Sequence, residues 1–181
     1  AESAANRNVV DLDAVRLAPR VLVDVPQADL SVSFLGERLP APFGIAPMGM
    51  CDLAWPGTDR AFAAEAVRAG VPICVSTATS TPLERMIELA EGYAWFQLYV
   101  TGSIETAESF ADRAARSGYK VLILTVDVPK LGKRPRDVRN GFTTPFRIGG
   151  RQLLDFTRHP RWSLTTLAAG VPRMANYDSG T

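Results

Sequence analysis

Five polar side chains stand where apolar runs close: Ser76 after Val71-Pro-Ile-Cys-Val, Gln97 and Tyr99 in Ala94-Trp-Phe-Gln-Leu-Tyr, and Thr125 and Asp127 ending Lys120-Val-Leu-Ile-Leu-Thr-Val-Asp. Gln97 and Tyr99 are two residues apart, as are Thr125 and Asp127, so on extended strands each pair points to one face. Gathered at one mouth, Ser, Gln, Tyr, Thr and Asp can hydrogen-bond the edge of a flat heterocycle. The same residues would serve equally as strand-end polar groups satisfied within the fold, and their types leave both readings open. Arg134, in Lys130-Leu-Gly-Lys-Arg-Pro-Arg-Asp, carries the planar fork that matches two carboxylate oxygens. Composition by itself favours a solvated charge run there. His159, the single histidine, precedes a proline in a Gly-, Pro- and Arg-rich stretch and reads as a surface or packing residue.

The elements that must position these groups follow one another in a repeated order. Phe43-Gly-Ile-Ala reads as a buried strand, Pro47-Met48-Gly49 as a loop, and Thr58 to Ala69 as a helix closed by Gly70. Val71 to Ser76 is then a strand and Leu83 to Leu89 a helix, with Thr81 as N-cap and Pro82 at the first helical position. Ala94 to Tyr99 is a strand, Ile104 to Ser117 a helix ending at Gly118, and Lys120 to Val126 a fourth strand. Near-continuous apolar strands alternating with helices specify a parallel sheet covered by helices. No G-x-G-x-x-G follows any strand, so a dinucleotide-binding doubly wound sheet is disfavoured against a (β/α)8 TIM barrel. Four βα units are roughly the first half of such a barrel, so the remaining half is expected as a partner outside this chain.

Three regions emerge: residues 1–42 as a lead-in with short antiparallel strands at 20–25 and 30–39 turning at Gly36-Glu37, 43–140 as the half-barrel, and 141–181 as a long mobile loop region. The chain opens on Ala1 in helix-like sequence and is expected to begin partway through a longer protein. With 20 Lys+Arg against 19 Asp+Glu and 46% hydrophobic residues, the composition excludes bulk disorder and gives no basic footprint for nucleic acid. Cys51 and Cys74 form no C-x-x-C pair, so neither a disulfide framework nor a metal site is indicated, and both thiols are expected reduced in the interior. No apolar run approaches the ~20 residues that span a bilayer, which makes a cytoplasmic setting the default.

Four ordered segments carry a resemblance. Ile45-Ala-Pro-Met-Gly-Met, Val75-Ser-Thr-Ala-Thr-Ser, Trp95-Phe-Gln-Leu-Tyr-Val and Leu124-Thr-Val-Asp-Val-Pro-Lys-Leu-Gly-Lys-Arg-Pro-Arg-Asp resemble the FMN-dependent α-hydroxy-acid dehydrogenase/oxidase family over nearly the whole chain. The resemblance implies an FMN flavoprotein that oxidises a 2-hydroxy acid, mandelate-like or lactate-like, to the 2-oxo acid. Ala46, Pro47, Met48 and Gly49 would then lie along the flavin ring through backbone groups, with Ser76, Gln97 and Thr125 on its polar edge. Tyr99 would contact substrate and Arg134 would clamp its carboxylate, while Asp127 would orient a catalytic histidine that lies beyond Thr181. Ala78, where short-chain glycolate oxidases carry a large Trp, implies room for a bulky substituent. Gly49, where oxidases tend to have Ala, implies a quinone or other acceptor rather than oxygen.

A homotetramer and peripheral membrane attachment through the region after strand four are further implications of the resemblance. The competing readings are a non-catalytic half-barrel or flavin-binding interaction module, and a short-chain lactate or glycolate oxidase. An FMN-dependent isomerase of isoprenoids is disfavoured by the Thr-Val-Asp and Leu-Gly-x-Arg pattern.

Overall fold

The computed structural model describes residues 2–24, 27–126, 132, 134–141 and 149–177. Two compact units divide the chain, Ala1–Asp29 with Leu131–Arg147, and Leu30–Lys130 with Ile148–Thr181. The first unit carries helix α1 (Glu2–Ala14), with an Arg7–Asp11 ion pair of 2.9 Å one turn apart. The short helix α5 (Pro135–Arg139) belongs to the same unit.

The second unit begins with an antiparallel hairpin of β1 (Val32–Phe34) and β2 (Glu37–Leu39), paired Val32 to Leu39. Its turn falls on Leu35 and Gly36, both at positive φ, one residue before the expected position. Residues 20–24, which alternate like a strand, form none: Val21, Leu22 and Val23 are all exposed and have no partner strand among the described residues.

Helix α2 (Thr58–Ala69) ends where the sequence places its stop. Gly70 adopts φ 66°, its N–H reaches Val67 O, and Val71 N–H reaches Ala66 O, a closure that needs the left-handed region glycine enters without strain. Strands β3 (Ile73–Ser76), β4 (Ala94–Tyr99) and β5 (Leu122–Thr125) then form one parallel sheet in that order, with Ile73 opposite Ala94 and Tyr99 opposite Thr125. Between them run α3 (Leu83–Leu89) and α4 (Ile104–Arg116), the latter capped by Ser103, whose Oγ accepts from Thr106 N–H at 3.3 Å.

One face of the sheet meets the helices. Ile73, Val75, Ala94, Phe96 and Leu98 pack with Ala63 and Ala66 of α2, Leu83 and Met86 of α3, and Ala107, Phe110 and Ala114 of α4. Small residues at 63, 66, 107 and 114 let the helices approach while Phe96 and Phe110, both fully buried, fill the space between. Alternation therefore sends Ser76, Trp95, Gln97, Tyr99 and Thr125 to the opposite face.

The expected strand at 43–46 is reduced to a single parallel bridge of Ile45 to Ile73, with Phe43 exposed. Prolines at 40, 42 and 47 bracket the segment, leaving too few consecutive N–H groups for a longer ladder. The stretch expected as a loop carries two helices, α6 (Gly150–Arg158) and α7 (Pro160–Ala169). These pack on each other, and α7 rests on the turn at 51–55 through Trp162, whose indole N–H donates to Ala54 O at 3.0 Å. Their mutual contact is local, with Phe156 against Trp162 at 5.7 Å, while Leu153, Leu154, Leu164 and Leu167 stay exposed and none of them joins the main core.

Candidate functional site at the strand ends

The C-terminal ends of the three strands carry a continuous hydrogen-bonded row. Ser76 Oγ donates to Gln97 Oε1 at 3.0 Å, and Gln97 Nε2 donates to Thr125 Oγ1 at 2.8 Å. Ser76 and Gln97 are buried and Thr125 is half-buried. Each of the three adjacent parallel strands thus contributes one polar side chain, and Gln97 at the centre is oriented by both neighbours. Gln97 retains a second amide hydrogen, and Thr125, having accepted, retains its hydroxyl hydrogen as a donor.

The backbone around this row is fixed by Thr77. Its Oγ1 donates to Gln97 O at 2.6 Å and accepts from Tyr99 N–H at 3.1 Å, tying the ends of β3 and β4 together. Tyr99 is half-buried on the same strand face as Gln97. The loop after β3 reaches the first loop as well, because Met50 N–H donates to Ala78 O at 2.8 Å. A Cβ at Gly49 would stand 3.1 Å from the Ala78 methyl, so the close approach of these loops uses the missing side chain. Ala46, Pro47, Met48 and Gly49 are exposed above it.

Beneath the loop sits Asp59, in the first turn of α2 and only 4% exposed. Its Oδ2 accepts from Thr79 Oγ1 at 2.8 Å, Ser80 N–H at 3.0 Å and Thr81 N–H at 3.1 Å. Burial pushes the Asp59 carboxyl above the ordinary aspartate value against the pull of the Thr79 hydrogen bond, and the nearby Asp52 adds to the rise. Cys74 is buried, which raises its thiol to about 11, and Cys51 is half-buried and raised by burial and then by Asp59 and Asp52. Neither cysteine is in a disulfide, and among the described residues no cluster of His, Cys, Asp and Glu could hold a metal ion.

The expected N-cap of α3 is replaced. Pro82 occupies the cap position without a side-chain acceptor, and the Leu83 N–H is satisfied by Asn176 Oδ1 at 2.9 Å, from 93 residues away. Thr81 faces inward instead, its N–H on Asp59.

Of the site residues expected from sequence, the structure brings Ser76, Gln97 and Thr125 into one row, places Tyr99 beside them on β4, and puts Ala46 to Gly49 on the loop tied to Ala78. Asp127 lies outside the described residues. Arg134 belongs to the other unit, exposed at the start of α5 and 3.9 Å from Asp137. His159 is exposed at the junction of α6 and α7, its Nδ1 within 3.1 Å of Asp155 O. Asp59 and Asn176 are functional positions that no motif or spacing in the sequence marks out; their roles show only in the buried hydrogen bonds they make. Thr77, next in sequence to Ser76, shows its role only through the bonds its hydroxyl makes to β4.

The description "FMN-dependent dehydrogenase" matches residues 1–180. The chain belongs to this family. It is 39% identical over 164 residues to the (S)-mandelate dehydrogenase of Pseudomonas putida, covering 91% of this chain and 42% of that protein. The L-lactate dehydrogenase of Haemophilus influenzae is 35% identical over 95% of this chain and 45% of its own length. Among solved structures, a monotopic membrane protein (S)-mandelate dehydrogenase superposes with a TM-score of 0.86 at 39% identity, covering 91% of this chain and 44% of that one.

The chain therefore spans less than half the length of the relatives it matches. Family members are FMN-dependent, and the parallel βα units here are part of a TIM barrel. Among the described residues no helix is long and apolar enough to cross a membrane.

Proposed function

We propose that the protein carrying this chain oxidises a 2-hydroxy acid, mandelate-like or lactate-like, to the corresponding 2-oxo acid. The observation that carries this reading is the row Ser76–Gln97–Thr125 across three adjacent strand ends. Its donors and acceptors are prealigned, their partners leave a second Gln97 N–H and the Thr125 hydroxyl hydrogen for a ligand, and both fit the polar edge of an isoalloxazine. FMN, when bound, supplies a two-electron acceptor for the substrate.

Ser76, Gln97 and Thr125 would hold the ring edge, and the backbone of Ala46 to Gly49 would lie along the ring. Tyr99, fixed through its own N–H on Thr77, presents its hydroxyl to the substrate and stabilises charge developing there. Arg134 takes the carboxylate role on the strength of the motif it occupies. Asp127 takes that of orienting a histidine supplied by the rest of the barrel, the base for the substrate proton. Ala78 leaves space for a phenyl group, which favours an aromatic substrate, and Gly49 supports a quinone or other acceptor over oxygen. A homotetramer fits the same reading.

Anaerobic addition of (S)-mandelate and (S)-lactate to protein from the complete reading frame tests this. Bleaching of the yellow chromophore by either acid is expected, with mandelate faster. A flavin that neither acid reduces leaves the flavin-binding interaction module as the surviving reading, and a colourless protein removes the flavin itself.

Peripheral membrane attachment from the cytoplasmic side is a second part of the reading. Leu153, Leu154, Leu164, Leu167 and Val171 are exposed on and after α6 and α7, and Arg158, Arg161 and Arg173 are interspersed among them. Apolar side chains with interleaved cations are what an anionic lipid surface receives.

A further inference from the structure

Residues 174–177, which follow α7 and its connection, are seated on the loop that connects β3 to α3. Ala175 N–H donates to Thr79 O at 3.1 Å, and the fully buried Asn176 uses both ends of its side chain, Oδ1 accepting from Leu83 N–H and Nδ2 donating to Thr77 O at 3.0 Å. Arg113 of α4 donates to Asn176 O at 3.0 Å while pairing Glu84 of α3. Tyr177 stacks edge-on against Phe110 at 5.1 Å, and its hydroxyl meets that of Thr101 at 3.0 Å. A buried amide whose two halves are both satisfied is specific for asparagine: aspartate lacks the donor, and alanine lacks both groups.

From this geometry we propose that Asn176 is a positioning residue for flavin binding, acting through Thr77. The inference rests on the flavin reading of the Ser76–Gln97–Thr125 row. Thr77 is the hub, because its hydroxyl bonds the backbone of both Gln97 and Tyr99, and its carbonyl is the group that Asn176 holds. Ser76 precedes Thr77 and Ala78 follows it. A shift of the Thr77 peptide therefore moves the Ser76 hydroxyl, the Gln97 backbone and the Ala78 support of the first loop together. Asn176 touches none of the groups assigned to the ring itself, so its influence travels through one peptide unit.

The test is FMN affinity, followed by flavin fluorescence quenching on protein from the complete reading frame, together with the thermal midpoint. Asn176→Ala should weaken FMN about tenfold, within the ordinary range of a coupling free energy between two linked sites. Asn176→Asp keeps the acceptor for Leu83 N–H and loses the donor to Thr77. It should show the same loss of FMN affinity while recovering part of the thermal midpoint lost in Asn176→Ala. Arg113→Lys loosens residues 174–177 from α4 without touching Thr77, and should lower the midpoint with FMN affinity within twofold of wild type.

Wild-type affinity in both Asn176 variants overturns the proposal, as does an equal loss in Arg113→Lys, which would reduce the effect to general destabilisation. Should the Asn176 variants fail to fold, hydrogen exchange of the wild type decides. FMN is expected to protect 76–83 and 174–177 together, and protection confined to 76–83 overturns the proposal. A wild type that binds no FMN refutes the flavin reading instead.

Discussion

Replacing Asp59 by alanine removes one oxygen that three donors share. Asp59 is 4% exposed, and its Oδ2 takes the Thr79 hydroxyl and the N–H groups of Ser80 and Thr81. A backbone N–H left buried without a partner costs about 1–3 kcal/mol, so two give about 2–6 kcal/mol. Thr81 N–H keeps a long contact of 3.5 Å to Thr79 Oγ1, and Ser80 is only half-buried. These reductions place the loss at about 2–4 kcal/mol. Equilibrium urea unfolding of wild type and Asp59→Ala, at matched FMN, measures it. Asp59→Asn retains an acceptor and should lose less than about 1 kcal/mol. An alanine variant within about 0.5 kcal/mol of wild type, the range of an ordinary surface substitution, would refute the argument that Asp59 fastens the loop after β3.

Three further outcomes are expected. Because burial raises the Asp59 carboxyl in the folded state above its unfolded value of 3.8, the folded protein binds more protons in the window above that value. Its contribution is then fully present below pH ~4 and lost as pH rises through the raised folded value, so Asp59→Asn should gain on wild type in thermal midpoint as pH rises from ~4 through that raised value; a constant difference would contradict this. Cys74, buried with its thiol near 11, should label with a thiol reagent only on unfolding, and half-buried Cys51 should label first, as read by mass spectrometry of the native protein. Replacing Leu164 and Leu167 by Ser should weaken flotation with vesicles containing anionic lipid, and unchanged flotation would remove α7 from the attachment surface.

The parts of the fold readable from sequence are those set by local chemistry. Helices at 58–69 and 83–89 and the strand at 94–99 have the bounds expected for them, since apolar period, Gly70 and Pro82 all act within a few residues. The strand at 43–46 reduces to one bridge because pairing depends on a neighbour and on the prolines around it. The polar row was readable because strand alternation puts polar side chains at the ends of apolar runs. Asn176 was not, because a side chain that caps a helix 93 residues earlier leaves no periodic mark in its own surroundings. Asp59 looks like any acid favoured in a first helical turn, and only the burial of its carboxylate under three donors sets it apart.

The claim that the strand-end row holds a flavin is tested most directly by FMN binding to wild type and to Gln97→Leu, each prepared from the complete reading frame. Leucine keeps the volume and removes both the link from Ser76 to Thr125 and the amide hydrogen left for the ring. The expected result is a yellow wild type and a variant that binds FMN at least about tenfold more weakly with a shifted visible band. Equal affinity and an unchanged spectrum in Gln97→Leu would contradict the account.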